Sequence, residues 1–458
     1  MTTGLTVTPW PFPTRGLFTE LDSRHIPADA LASCNNMYYL NPYLLRSRGG
    51  IDSTYTTAAS AVGPMYYWSR DSKLYQGNAT TGLYKNGTVV AGPAQKVTSM
   101  CSFGVDATPT LIVAENETAN PSLHTYDGTT YAVLAGTDIP RGRLVMSRGG
   151  RLWTTKSAEY PSRVWCSRVS DETIWTPSWD DAAWWDIGPG SDGDIVDWVD
   201  YRGVLYIFKE RAIWRLAGDT PVSIIRQRVC SIDKMVGGTV ADCGRGVLYA
   251  TESGVYPLGV EGPTLQDAVS RNIEKVLQPL LSASKAAFSP ELGAYVVTTG
   301  TTAVYVANLS TRPDVWTTFT APVAMCSVYN GNGLWFGGTN GTAYKYDHDD
   351  WEDGASTQFA VSLKTGDWNL QNELGRKNVR YVQGLFNGGE NATVVASMYS
   401  DSSTKRIDLR EVLPDGDNVF ACNFNCKRVA LEIEYKDRTG LPYFGGLALH
   451  WKPEGDIL

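Results

Sequence analysis

The chain has 458 residues, 40 basic against 48 acidic, and a formal net charge of −8. That balance argues against a protein that grips nucleic acid by neutralising phosphates. Aromatic residues make up 11%, with 15 Trp and 24 Tyr beside 45 Gly, a composition suited to an all-β fold in which wide rings fill the space between sheets and turns need φ > 0.

The chain is long enough for two or three domains. Met1 to Trp10 lacks a basic run followed by an apolar core, so no secretory signal is expected. No apolar stretch approaches the roughly 20 residues that cross a bilayer, and no membrane insertion is expected. Residues 1–60 hold Pro11, Pro13, Pro27 and Pro42, which resist regular helix and point to an extended arm laid over other structure.

From about Met65 to Tyr346 a short pair of apolar strands closed by a Gly- or Asn/Asp-rich turn recurs at a spacing of roughly 40 to 50 residues. It is plainest in Gly203-Val204-Leu205-Tyr206-Ile207-Phe208 with Ala212-Ile213-Trp214-Arg215-Leu216, in Gly246-Val247-Leu248-Tyr249-Ala250 with Gly254-Val255-Tyr256, and in Gly333-Leu334-Trp335-Phe336 with Ala343-Tyr344-Lys345-Tyr346. This period predicts a β-propeller over 61–355, of six or seven blades, each burying its faces only against its neighbours. Two stretches break the rhythm. Ser170 to Val199 sets Trp175, Trp179, Trp184, Trp185 and Trp198 among Asp180, Asp181, Asp186, Asp192, Asp194 and Asp197, and reads as a long inter-blade loop packed by its indoles or as a carbohydrate platform. Thr264 to Leu280 places Leu265, Val269, Ile273, Val276, Leu277 and Leu280 on one helical face, and predicts one inserted helix whose regular part Pro279 ends.

The acidic run Asp347 to Gly354 departs from the calcium-loop pattern, with Gly at position eight, and reads as a solvated hinge. Beyond it, residues 356–458 carry longer strands of period two, such as Arg428-Val429-Ala430-Leu431-Glu432-Ile433-Glu434-Tyr435, and predict a separate β-sandwich-like platform domain.

Motifs for chemistry are scarce. The eight cysteines form no CxxC pair and no zinc cluster, so free thiols and a reducing compartment are expected. No His stands beside a nucleophile in a Gly-x-Ser-x-Gly pattern, and no sialidase-type Ser-x-Asp-x-Gly-x-x-Trp turn repeats. Gly188-Pro189-Gly190-Ser191-Asp192-Gly193 matches Gly-x-Gly-x-x-Gly but leads into a strand-like run, so it reads as a turn, and Asn330-Gly331-Asn332-Gly333 reads as a hairpin turn. Arg46-Ser47-Arg48 and Gly375 to Arg380 are short basic clusters that read as solvated surface, with contact to phosphates as the alternative. Catalytic, cofactor and metal residues are therefore assigned to none, and the chain is expected not to be an enzyme.

Two groups of residues resemble one family. Gly16-Leu17-Phe18-Thr19-Glu20, Ala30 to Tyr38 with Asn36, and Leu44-Leu45-Arg46-Ser47-Arg48-Gly49-Gly50-Ile51 resemble the opening of tail hub, or nozzle, proteins of short-tailed bacteriophages. Asp194 to Trp198, Gly203 to Gly218, Gly254-Val255-Tyr256 and Ser270-Arg271-Asn272-Ile273 resemble the central blades of that family. The resemblance implies a structural virion protein of the tail, assembled in the host cytoplasm. It implies a homohexamer docked below the portal and adaptor rings, offering sites for tail fibres or spikes, retaining packaged DNA and forming the channel through which that DNA leaves. Six copies would carry a formal charge of about −48, which keeps a DNA passage from becoming adhesive. The runner-up is a propeller that binds or cleaves glycans through the Trp/Asp-rich segment.

Overall fold

A computed structural model describes residues 5–453 except 22–24, 58–59, 79, 81, 91–94, 105–108, 117–122, 180, 219, 260–266, 323, 331–332, 355–356, 371–375, 388–392, 400–403, 410–416 and 437–439. Asp180, Gly331, Asn332, Gly375 and the Thr264–Gln266 start of the expected helix thus lie outside the described residues.

The fold is all-β, and its centre is a β-propeller. The first sixty residues supply β1 (Thr6–Pro9), β2 (Leu31–Asn35), β3 (Met37–Asn41), β4 (Leu44–Ser47) and β5 (Gly50–Thr56). Four antiparallel blades follow in chain order. The first is β6 (Val62–Trp68), β7 (Lys73–Asn78), β8 (Leu83–Lys85) and β9 (Thr88–Val90), and the second is β10 (Val97–Phe103), β11 (Thr110–Glu115), β12 (Leu123–Tyr126) and β13 (Tyr131–Val133). The third is β14 (Leu144–Arg148), β15 (Arg151–Thr155), β16 (Arg163–Cys166) and β17 (Ala183–Asp186), and the fourth is β18 (Ile195–Tyr201), β19 (Val204–Lys209), β20 (Ala212–Ala217) and β21 (Ile225–Ser231).

A three-stranded sheet of β22 (Ala241–Asp242), β23 (Val247–Thr251) and β24 (Gly254–Pro257) comes next, then a blade of β25 (Lys285–Ser289), β26 (Ala294–Thr298), β27 (Ala303–Asn308) and β28 (Trp316–Thr320). The last blade, β29 (Ala324–Asn330), β30 (Gly333–Gly338) and β31 (Thr342–Asp347), takes β5 as its fourth strand, so the chain's own beginning zips the ring shut. Six four-stranded blades and one three-stranded sheet therefore complete the circle.

Local sequence builds the hairpins. Asn86-Gly87, Gly149-Gly150 and Arg202-Gly203 all take positive φ at both positions, and the flanking pairs Lys85↔Thr88, Arg148↔Arg151 and Tyr201↔Val204 close two-residue turns. That is the type I′ geometry whose twist suits the strands it joins. Packing between sheets is then strictly neighbour to neighbour. Ile112 and Ala114 of the second blade meet Leu152 and Trp165 of the third, and Trp153 and Val164 of the third meet Leu205 and Ile207 of the fourth. Met65 and Leu74 of the first blade meet Trp335 and Ala343 of the last, which closes the core around the ring.

Among the described residues the three-stranded sheet has no fourth strand, and the inserted segment takes that place. Val269 N donates to Val255 O at 2.9 Å and Val255 N donates to Ser270 Oγ at 3.0 Å, so both outward backbone groups of Val255 are satisfied without another strand. Helical turns begin only after this cap: a 3₁₀ turn at Arg271–Ile273, α1 (Glu274–Leu277), and a 3₁₀ stretch at Gln278–Ala283. The helix is thus shorter and starts later than its apolar spacing predicts, since Val269 and Ser270 are used as sheet caps. Pro279 cannot donate to Lys275 O, and the α form stops at Leu277. Ile273, Leu277 and Leu281 are fully buried against the three-stranded sheet and the blade that follows it.

Beyond the ring, β32 (Val361–Thr365), β33 (Lys377–Asn387), β34 (Thr393–Tyr399), β35 (Thr404–Leu409), β36 (Asp417–Cys426), β37 (Ala430–Lys436) and β38 (Tyr443–Pro453) form two sheets. One runs β2-β32-β37-β34-β35, and the other runs β3-β4-β38-β33-β36 with β1 also on β38. Both face one core, where Leu31, Leu363, Leu431 and Ile433 of the first sheet meet Met37, Leu45, Val379, Val382 and Leu449 of the second. The segment expected as an arm is therefore woven through both bodies. Its β2 pairs parallel with β28 of the ring on one side and antiparallel with β32 on the other, making one continuous sheet from propeller to sandwich.

Candidate functional site

Where propeller, sandwich and N-terminal strands meet, Arg48 forms a buried seam. Its side chain is 0% exposed and gives a two-pronged ion pair to Asp353, with Nη1 to Oδ1 and Nη2 to Oδ2 both at 2.7 Å. Nη1 also donates to Gly49 O at 2.6 Å, Nη2 to Thr320 O at 2.9 Å and Nε to Asn36 Oδ1 at 2.8 Å, while the guanidinium lies 3.6 Å from the centroid of Phe359. A planar fork with five donors is the group that can satisfy such a set. Asn36 sits at φ +59° and serves three elements at once: Oδ1 also accepts Thr320 N at 2.7 Å, and Nδ2 donates to Ala360 O at 2.6 Å. A Cβ on Gly49 would stand 1.8 Å from Asp347 O, and one on Gly50 would stand 2.1 Å from Glu352 O, so the two strands approach only because both positions are glycine.

The acidic run is used up in this seam. Asp353 Oδ1 accepts Ile51 N at 2.8 Å, Asp52 Oδ1 accepts Gly354 N at 2.7 Å, and Asp347 and Asp350 cap the N–H groups of Asp349 and Glu352. Burial raises the Asp52 carboxyl, and the neighbouring Asp350, Asp347 and Asp353 add to the rise. Beside it, Arg46 Nη1 lies 2.6 Å from His348 Nε2, and burial, then the Arg46 charge, lower the imidazole below its ordinary value.

The second feature is the hole of the ring. A cavity of about 540 Å³ is lined by residues on or beside the first strand of all seven sheets. Several of these strands are irregular here: register breaks fall between Val62 and Met65, Val97 and Ser99, and Ile195 and Asp197, so Gly63, Pro64, Thr98 and Val196 are the extra residues that line it. Four charged residues line it as well, Lys96, Lys156, Asp197 and Lys285. Asp197 accepts Gly238 N at 2.7 Å and Trp198 N at 2.9 Å; burial raises its carboxyl, opposed by those two N–H groups and then by Lys285 and Lys156. Lys285 Nζ donates to Gly237 O. The hole suits a small molecule, for which pockets run about 300–1,000 Å³, and has no room for duplex DNA.

The sequence-derived sites fare unevenly. Arg48, read as solvated, is the most enclosed cation of the seam. In the Trp/Asp-rich segment Trp175 is buried and donates to Glu172 O at 2.7 Å, and Trp185 stacks on Trp153 with centroids 5.6 Å apart. Trp184 covers the Arg163 guanidinium at 3.7 Å, with Tyr160 against the same group at 4.1 Å and Asp186 paired to it at 2.7 Å, which leaves Trp179, 87% exposed, as the indole open to a partner. Asp181 pairs with Arg168 at 2.6 Å. The Gly-x-Gly-x-x-Gly run is a turn leading into β18. Lys209 Nζ donates to Ile187 O at 2.7 Å and Pro189 O at 3.1 Å, and a Cβ on Gly188 would strike the Trp214 ring at 2.6 Å. The seven described cysteines are buried and unbridged. Among the described residues no three His, Cys, Asp or Glu side chains group to hold a metal, and no helix is long and apolar enough to cross a membrane.

The two resembling groups of residues touch. Thr19 N donates to Asn272 O at 2.9 Å, Lys275 N to Glu20 Oε1 at 2.5 Å, and Leu17 N to Trp316 O at 2.8 Å, while Trp316 Nε1 donates to Val269 O at 2.7 Å. Neither the protein-family models nor the curated proteins contain a match to this chain.

Proposed function

We propose that the chain is a structural, non-enzymatic virion protein, the tail hub or nozzle of a short-tailed bacteriophage. Six copies form a ring below the portal and adaptor, retain packaged DNA, pass it outward on ejection and hold tail fibres or spikes. The observation that carries this reading is the seam: the residues that resemble the family opening, Asn36 and Arg48-Gly49-Gly50, are the ones that lock propeller to sandwich. A ring closed by its own first strands and joined to a second body by one continuous sheet transmits force without an open edge at the joint. The hole of a single propeller is too small for a duplex, so in this reading DNA travels between copies, along surfaces that share a net charge of −8 per chain.

The glycan reading rests on Trp179 alone, since the other indoles of its segment are engaged within the chain. Native mass spectrometry and negative-stain microscopy of the purified chain at roughly micromolar concentration test the proposal. Six-membered rings with a central passage wide enough for a duplex are expected. A chain that stays single, or that binds a glycan array in a manner lost on Trp179→Ala, overturns it.

A further inference from the structure

The hole of the propeller is cationic in a chain that is acidic overall. Lys96, Lys156 and Lys285 face one carboxylate, Asp197, inside a cavity of about 540 Å³. Asp197 is already bonded to Gly238 N and Trp198 N, and Lys285 to Gly237 O, so these groups are held in place by the sheet next to them. Lys156 differs. It follows β15 with φ +67°, a left-handed conformation that a residue with a long side chain occupies at a cost and that clusters at binding sites. Burial lowers its ammonium pKa and the neighbouring Arg143 lowers it further, opposed by Asp197 and then by Asp194 and Glu210, which lie outside the cavity lining. Arg143 Nε is itself buried with no hydrogen-bond partner in the protein. Lys156 thus lines the cavity beside a second cation, Arg143, whose Nε has no partner, and enclosing like charges side by side is costly.

The outer depression between the fourth blade and the three-stranded sheet makes the contrast. It also carries arginines, of which Arg215 is bonded to Gln227 Oε1 at 2.9 Å and Arg228 to Asp192 Oδ1 at 3.2 Å, while Arg245 is exposed to solvent.

We propose that the propeller's central cavity is a binding site for a compact, multiply charged oxyanion, bearing phosphate or carboxylate groups, held by Lys156 and Lys285 with Lys96 at the rim. The anion supplies negative charge within a lining whose one carboxylate is Asp197, and the paired glycines Gly237-Gly238 leave room beside Lys285, where a Cβ on Gly238 would sit 2.6 Å from its Cδ. This inference does not rest on the tail reading, and a monomeric chain would carry the site equally.

Isothermal titration of the full chain with inorganic tripolyphosphate and, separately, with citrate tests it and tells phosphate from carboxylate chemistry. Saturable binding of one stoichiometric anion is expected, weakened at least roughly tenfold in Lys156→Met and kept within a few-fold in Lys156→Arg. Lys156→Gly separates folding from binding: it relieves the left-handed strain, so its Tm in anion-free buffer should equal or exceed that of the parent while binding is lost. Lys234→Met, on an exposed lysine that pairs with Glu252 and is not part of the cavity lining, serves as control. No saturable binding of either anion, or binding that Lys156→Met leaves unchanged, overturns the proposal.

Discussion

The ring and the seam are built by opposite means. Each blade is assembled from strands next to each other in the chain, joined by turns as short as Arg202-Gly203, so its contacts are local and its pattern repeats. The seam is assembled from residues some three hundred positions apart: Arg48 reaches Asp353, Asn36 reaches Ala360, and β5 pairs with β31. Repetition gives the ring redundancy, whereas the seam is a single arrangement with no second copy. Damage to one blade should therefore be a local matter, and damage to the seam should be felt by both bodies.

The largest effect is expected at Arg48. Arg48→Ala removes the paired cation of Asp353 and one donor each from Asn36 Oδ1, Gly49 O and Thr320 O, in a place where the guanidinium is fully enclosed; Ile51 N and Thr320 N remain on Asp353 and Asn36. Breaking a buried pair in this way costs about 3–5 kcal/mol. Amide exchange should rise in β5 and β31 and also in β32, on the far side of the joint. Protection lost only in the last blade would show that the seam is not shared.

The contrast also explains what the sequence makes legible. Period-two runs and I′ turns are encoded by neighbouring residues, so the propeller is readable from the recurrence of hairpins such as Gly203 to Leu216, and the sandwich from strands such as Arg428 to Tyr435. The seam is encoded by partners far apart, and a short basic cluster such as Arg46-Ser47-Arg48 looks the same whether water or Asp353 meets it. The one available signal was the pairing of Arg48 with Gly49-Gly50 just before a strand, since two glycines side by side mark a place where another backbone comes close. Blade number was ambiguous for a similar reason. The three-stranded sheet completes itself with Val269 and Ser270, which carry a helical pattern and no strand pattern. The cavity was invisible because Lys96, Lys156, Asp197 and Lys285 come from four separate sheets and converge only when the ring closes.

A smaller effect sharpens the same comparison within the ring. Ser270→Ala leaves Val255 N without its acceptor at the sheet edge that the inserted segment covers in place of a strand, at a cost of about 1–3 kcal/mol. Because contacts there are local, exchange should increase in β23, β24 and the helical segment while β5 and β31 keep their protection. Urea denaturation gives the energy and exchange gives the extent; spread of the damage to the last blade would erase the distinction between the two regions.

The smallest expected effect separates the regions by pH. His348, at the seam, has a depressed pKa when folded, so from its unfolded value of 6.5 downward the unfolded chain binds the proton more readily and stability falls with falling pH. The thiols of the ring act in the other direction. Burial raises Cys166 to about 11 and Cys101 and Cys243 to about 12 from 9.0, so they contribute stability that is complete below pH 9 and drains away as the unfolded thiols ionise. Between pH 9 and the ordinary tyrosine value of 10.0 they are joined by Cys230 of the ring and by Cys34 of β2, which burial raises further still. Stability measured by urea denaturation should therefore be flat between about pH 7 and 9 and decline on both sides. His348→Gln should flatten the start of the acid limb alone, and Cys166→Ala should reduce the slope of the alkaline limb alone. If either substitution changed both limbs equally, the seam and the ring would be one cooperative unit, and their different construction would have no thermodynamic consequence.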